Sequence, residues 1–136
     1  MTHEKSSAKQ AGRQTGRDGE RAAANFLKSK GYRILAMNFQ NDSGRRLGEI
    51  DIVAQDVDQN ELVFVEVKTR DYAKCGNSLP EENINRRKLH KLAKIAAFYL
   101  RKNKLENHPY RFDALSIWLD YETRTAKIKH IPNIYL

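Results

Sequence analysis

Residues 47–70 read LGEIDIVAQDVDQNELVFVEVKTR. The second part, 61–70, has four β-branched residues and a phenylalanine, and it is the clearest strand in the chain. Residues 47–54 make a second strand, and the polar link 55–60 is short enough to predict an antiparallel hairpin. Side chains alternate along a strand. Val63, Val65, Val67 and Thr69 therefore share a face that must be buried, while Leu62, Phe64, Glu66 and Lys68 share the other. In the partner strand Glu49, Asp51 and Val53 are expected on one face, with Ile50, Ile52 and Ala54 on the other. An odd-sum register would set Asp51 opposite Glu66 and Glu49 opposite Lys68, with facing Cβ atoms roughly 4.5–5.5 Å apart.

Two ionised carboxylates that close repel each other unless a cation lies between them. Mg²⁺, or Mn²⁺ in its place, suits such a pair, because Mg²⁺ takes one or two carboxylates and leaves other positions to water and phosphate. A lysine beside them could contact an attacking water or the charge developing on phosphorus. Asp51, Glu66 and Lys68 are thus the candidate centre of a phosphodiester-hydrolysing site. Glu49 is a candidate to buttress Asp51, whose face it shares. On spacing alone Glu66 and Lys68 equally fit a solvated ion pair at a strand end.

Outward from the hairpin, Thr15 and Asp18 form a weak capping box before a helix through 17–30, with Gly31 as its C-terminal cap. Glu20 falls on the apolar stripe of that helix, with Ala23, Ala24 and Leu27. An acid there needs a partner, which a metal or Lys68 would supply; the dipole at a helix start would also favour it. Residues 32–39 read as a strand and 41–44 as a turn, while 71–80 read as a loop that could close over substrate. A helix over 85–104 carries the stripe Leu89, Leu92, Ala93, Ala96 and Leu100. Strands over 111–119 and 126–131 complete the order αβββαββ. The fold class is α/β, a mixed central sheet of about five strands flanked by helices. One domain is expected over 15–136, behind a mobile tail over 1–14.

The chain has 136 residues, of which 40% are hydrophobic, and this supports a real core. No apolar run approaches a membrane span or an N-terminal signal, so a cytoplasmic location is expected. A lone cysteine, Cys75, offers no internal disulfide, and the four histidines lack metal-ligand spacing. The net charge of +8 favours a polyanion, either nucleic acid or an acidic membrane surface. Its placement is more informative. Arg86, Arg87, Lys88, Lys91, Lys94, Arg101, Lys102 and Lys104 crowd residues 85–104 with no acid among them. An ordinary solvated helix would mix signs. Arg87, Lys88, Lys91 and Lys94, with Arg45 and Arg46 before the acidic strand, are the candidate phosphate contacts.

GRDGERAAANFLKSKGYRIL, LGEIDIVA, LVFVEVKTR, KLHKLAKIAAFYL and RFDALSI together carry a resemblance, from about residue 16 to the C-terminus, to the YraN family of small bacterial proteins. The resemblance implies a restriction-endonuclease-like fold of the PD-(D/E)XK nuclease superfamily, most similar to archaeal Holliday-junction resolvases. It implies a Mg²⁺ site built from Glu20, Asp51 and Glu66, with Lys68 as the catalytic lysine. Ile50 stands where that pattern often has proline. The implied activity is hydrolysis of DNA, including branched or structured DNA, with a homodimer by analogy to the resolvases. RNA remains open, since nothing here reads a 2′-hydroxyl. Two other classes stay in play: a nucleic-acid-binding module that keeps the acidic pocket without turnover, and an interaction protein that docks through its basic helix.

Overall fold

The structure is a computed structural model that describes residues 2–75 and 86–134, with side chains described over 11–73 and 86–134. Its elements are α1 (Thr2–Ser29), β1 (Tyr32–Gln40), β2 (Glu49–Asp56), β3 (Glu61–Asp71), α2 (Tyr72–Cys75), α3 (Arg86–Lys102), β4 (Tyr110–Asp120) and β5 (Thr125–Ile131). The five strands form one sheet in the order β1-β2-β3-β4-β5. Only β3 and β4 run parallel, and the crossover that joins them carries α2 and α3. The expected α/β architecture is therefore present, with one addition: the short α2 occupies the start of the segment read as a loop. Residues 76–80 of that segment lie outside the described residues.

Each face of the sheet is covered by one helix. Ala23, Ala24 and Leu27 of α1 pack on Ile52, Ala54, Val63, Val65, Leu115 and Ile117. On the other face Leu92, Ile95, Ala96, Tyr99 and Leu100 of α3 pack on Val53, Leu62 and Phe64. The valine face of β3 is buried as expected. The stripe of α3 is rotated from the expected one: Ile95 and Tyr99 are buried, while Leu89 and Ala93 are only partly covered.

The first helix does not begin near Thr15. It runs from Thr2, through the residues assigned to a tail, and Thr15 lies inside it. The Thr15 hydroxyl donates to the Ala11 carbonyl at 2.9 Å, the back-bond of a mid-helix threonine rather than the bond of a cap. Nothing over residues 2–14 breaks a helix, since the stretch has no proline and a single glycine. The other end matches: Gly31 has φ +93° and its amide donates to the Lys28 carbonyl at 3.1 Å.

The hairpin pairs Ile52 with Val65 and Asp56 with Glu61, an odd-sum register in which 51 would face 66. The ladder stops at Ile52. One step on, the Val67 amide donates not to a β2 carbonyl but to Asp51 Oδ2, at 2.8 Å. On the other side Met37 pairs with Ile52 and Phe39 with Ile50, leaving Asn38 and Asp51 between them. Asn38 has φ +53°, a region asparagine tolerates better than most residues. The alternation of β2 fails here. Ile52 packs under α1, but Ile50 joins the α3 layer, so Ile50, Ile52 and Ala54 do not share a face as expected.

Candidate active site

The divergence of β2 from β3 opens a fork, and the acids gather in it. Asp51 turns its carboxylate across to β3, where it bonds the Val67 amide and lies within hydrogen-bonding reach of Glu66. Burial raises the Asp51 carboxyl to about 8, and the neighbouring Glu66 charge adds to it; the Val67 N–H offsets part of this, and Glu20 and Glu49 push further up. Burial also raises Glu66, against the pull of Lys88 and Lys68. The pair therefore holds a proton that neither carboxyl would keep in water.

Glu20 reaches the fork from α1. Burial raises its carboxyl, while a hydrogen bond with Asn38 lowers it and the Glu49 charge raises it. Its approach depends on Gly19, which is buried against β3: a Cβ there would lie 2.7 Å from Thr69 Cβ. Only glycine lets α1 run this close to the strand. Glu49 is exposed and accepts from Gln40 Nε2 at 3.1 Å, and the other end of that amide holds Arg46. Its charge is felt at Asp51, Glu66 and Glu20, as expected of a residue behind the pair.

Lys68 stands beside the acids, and its ammonium is lowered to about 8. The first cause is contact with Lys88, then burial, with Glu66 opposing and Arg70 adding. Lys88 is thus not on the exposed outer side of α3 with Arg87, Lys91 and Lys94. It sits four, seven and eleven residues before Leu92, Ile95 and Tyr99, on the buried stripe, and turns inward. That spacing was available in the sequence. Asn38 offered no comparable signal, because its role arises from a strand irregularity.

The remaining basic candidates stay outside the fork. Arg87, Lys91 and Lys94 are exposed and line a shallow cavity with Arg86 and His90 on the outer side of α3. Arg45 and Arg46 are exposed in the β1–β2 connection. Among the described residues, no group of three or more His, Cys, Asp or Glu side chains could hold a metal ion. The donor set is thus a pair of facing carboxylates rather than a protein cage. That fits Mg²⁺, which binds through few protein oxygens and keeps several waters.

A second polar cluster lies at the far end of the hairpin. Asp113 on β4 is fully buried and accepts from Arg111 Nε at 3.1 Å and the Asn133 amide at 3.0 Å, with His130 Nε2 at 2.7 Å. Arg111 also donates to Glu61 at 2.7 Å and to the Tyr32 hydroxyl at 2.8 Å, and pairs with Asp56 at 3.3 Å. Burial alone would push the Asp113 carboxyl up; the bonds from His130, Arg111 and the Asn133 amide outweigh it and hold it below its ordinary value. This cluster clamps all five strands and the chain after β5, and belongs to the scaffold.

Residues 19–117 match the model of a family described as "Uncharacterised protein family UPF0102". A UPF0102 protein of Moorella thermoacetica is 40% identical over 90% of this chain and 96% of its own length. One from Caldicellulosiruptor saccharolyticus is 37% identical over 90% and 98%. One from Trichlorobacter lovleyi is 41% identical over 86% of each. No helix among the described residues is long and apolar enough to cross a membrane.

Proposed function

The chain belongs to the uncharacterised protein family UPF0102, the YraN family, and we propose that it is a Mg²⁺-dependent endonuclease that hydrolyses DNA phosphodiesters, including those of branched or structured DNA. The observation that carries this reading is the buried carboxylate pair in the fork, Asp51 bonded to the Val67 amide and within hydrogen-bonding reach of Glu66, beside Lys68. Two buried acids this close ionise together only when a cation joins them. Asp51 and Glu66 would hold the ion, with Glu20 contributing through water. When bound, Mg²⁺ would polarise a phosphoryl oxygen and make its bound water more acidic than bulk water. Lys68 Nζ orients the attacking water or stabilises charge on the phosphate, and Lys88 keeps the Lys68 proton loosely held. Glu49 buttresses the pair. Arg87, Lys91 and Lys94, with Arg45 and Arg46, hold flanking phosphates. The mixed five-stranded sheet with helices on its faces, in the order αβββαββ, supports the reading. Mn²⁺ is expected to substitute for Mg²⁺, and a homodimer and a cytoplasmic setting are parts of the same reading.

The test is cleavage of linear, nicked and four-way-junction DNA with Mg²⁺ or Mn²⁺. Loss of cleavage in both Asp51→Ala and Lys68→Ala supports the enzyme. A second reading, a nucleic-acid-binding module without turnover, is favoured by the absence of a three-ligand group among the described residues. It predicts salt-sensitive binding and no cleavage with either ion. A third, docking of the basic face of α3 on an acidic partner or lipid surface, rests on the exposed Arg87, Lys91 and Lys94. It predicts partner binding lost on reversing Lys91 and Lys94, with negligible DNA affinity.

A further inference from the structure

A cavity of about 350 Å³ runs between the middle of α1 and the second half of β3, lined by Gly12, Thr15, Gly16 and Glu20 on one side and residues 67–71 on the other. Its volume is at the lower end of the range for small-ligand sites, roughly 300–1,000 Å³. One end touches the fork, through Glu20 and Lys68. Arg70 is two residues past Lys68, about 6.6 Å further along the strand. Two cations, Lys68 and Arg70, and two hydroxyl residues, Thr15 and Thr69, therefore line a single continuous opening.

Arg70 is the independent sign of a ligand. Its Nε is the one buried side-chain nitrogen or oxygen among the described residues without a hydrogen-bond partner. A buried donor left unmatched costs about 1–3 kcal/mol, so a turn of the guanidinium that brings it to an acceptor is favoured. The acids along the wall do not supply one: the Asp71 carboxylate accepts from the Ala73 amide at 3.0 Å, and Glu20 is engaged by Asn38. The helix side is open because a Cβ on Gly12 or Gly16 would meet nothing within 4 Å. An anionic group with several acceptor oxygens, arriving along the strand from the fork, fits this lining.

We propose that this cavity seats a phosphodiester of the DNA strand next to the one at the acid pair, with Arg70 and Lys68 as its cationic partners and Thr69 as its hydroxyl partner. The identity of the ligand as DNA rests on the function proposed above; the anion seat rests on the cavity and on Arg70. Arg70 is a positioning residue, since it would grip the strand and not the reacting phosphate.

The experiment compares wild type, Arg70→Ala and Gly16→Leu. Gly16→Leu fills the cavity from a helix position with room for a side chain. Binding of a fluorescent 12-nucleotide single strand is followed in EDTA over a salt series. Amide shifts of Thr69 and Arg70 are followed during titration with inorganic phosphate, and thermal melting checks the fold of both variants. The expected result is binding weakened about tenfold in Arg70→Ala, with a salt slope shallower by about 0.7. Gly16→Leu weakens binding at least as much, and phosphate shifts the two amides in wild type alone. If phosphate shifts the amides while the DNA affinities stay equal, the seat takes free phosphate and the DNA assignment is overturned. If wild type binds DNA and both variants match it in affinity and slope, with no amide shifts, the cavity proposal is overturned and the endonuclease reading stands. If variant-sensitive binding appears but wild type cleaves no DNA with either ion, the cavity proposal stands and the endonuclease reading fails. Wild type binding neither DNA nor phosphate at low salt overturns the seat itself.

Discussion

Replacing Asp51 by asparagine should stabilise the folded chain at pH 8 in EDTA. The Asp51 carboxyl titrates near 8 in the folded chain and near its ordinary 3.8 when unfolded. Between those values the folded state binds more protons than the unfolded state, so stability falls as pH rises from about 4 to about 8. Each pH unit in that interval removes about 1.4 kcal/mol, about 6 kcal/mol across the whole of it. Asparagine keeps an oxygen for the Val67 amide but gives up the charge-assisted part of that bond, about 1 kcal/mol. It also leaves Glu66 to titrate with less opposition, which returns part of the gain. A net stabilisation on the order of 3 kcal/mol remains at pH 8. For 136 residues with about 2.1 cal/mol/K of unfolding entropy each, that corresponds to a rise in Tm of roughly 10 °C. Thermal melts of both proteins from pH 5 to 8 by circular dichroism would measure it. The advantage of Asp51→Asn should shrink steadily towards pH 5, where the wild-type carboxyl is protonated in the folded chain. Equal melting temperatures at pH 8, or a wild-type Tm that does not fall between pH 5 and 8, would refute the packing of two carboxyls in the fork.

Lys68 should be the fastest-acylated lysine at pH 8. An amine that titrates near 8 is half neutral there, whereas one at 10.5 is about 0.3% neutral; peptide mapping after brief labelling should show at least a tenfold preference, abolished by Lys88→Ala. Asp113→Ala should cost about 3–5 kcal/mol, because it leaves Arg111 and His130 facing a buried gap. The contribution of Asp113 in wild type is present above pH 3.8 and lost as pH falls through its depressed folded value, so acid melts should converge. Gly19→Ala should destabilise by a net 1–2 kcal/mol or so, overlap with Thr69 outweighing the better helix propensity, while Gly16→Ala should stabilise by about 0.5–1 kcal/mol. Chemical denaturation distinguishes the two, and a stabilising Gly19→Ala would contradict the close approach of α1.

Much of the fold could be read from residues whose behaviour is set locally. The antiparallel hairpin followed from two strand-like runs and a short polar link, though its odd-sum register did not, and Gly31 ended α1 because the left-handed conformation it needs is local chemistry. What escaped depended on contacts between distant elements. Ile50 changes layer because Asn38 and Asp51, on neighbouring strands, interrupt the ladder between them, and no window along one strand contains both. Thr15 resembled a cap because its hydroxyl can satisfy an amide or a carbonyl, and the helix that continues before it decides which. Arg111 and Asp113, two residues apart on one strand, share a face by alternation, whereas the bond of Asp113 with His130, seventeen residues on, depends on how β4 and β5 pair. Lys88 was legible in principle: its spacing from Leu92, Ile95 and Tyr99 places it inward. A lysine among many lysines was instead read as surface charge, with its neighbours.

The fork draws on α1 through Glu20, β1 through Asn38, β2 through Asp51, β3 through Glu66 and Lys68, and α3 through Lys88. A centre assembled from so many elements reports on the integrity of the whole domain. Partial opening that peels α1 from the sheet removes one acid and floods the remaining pair with water, and opening of α3 releases Lys88 and restores ordinary basicity to Lys68. Sub-global unfolding events of this kind occur well below the free energy of complete unfolding. The labelling rate of one lysine and the proton affinity of one acid pair are therefore built-in gauges of which half of the molecule opens first.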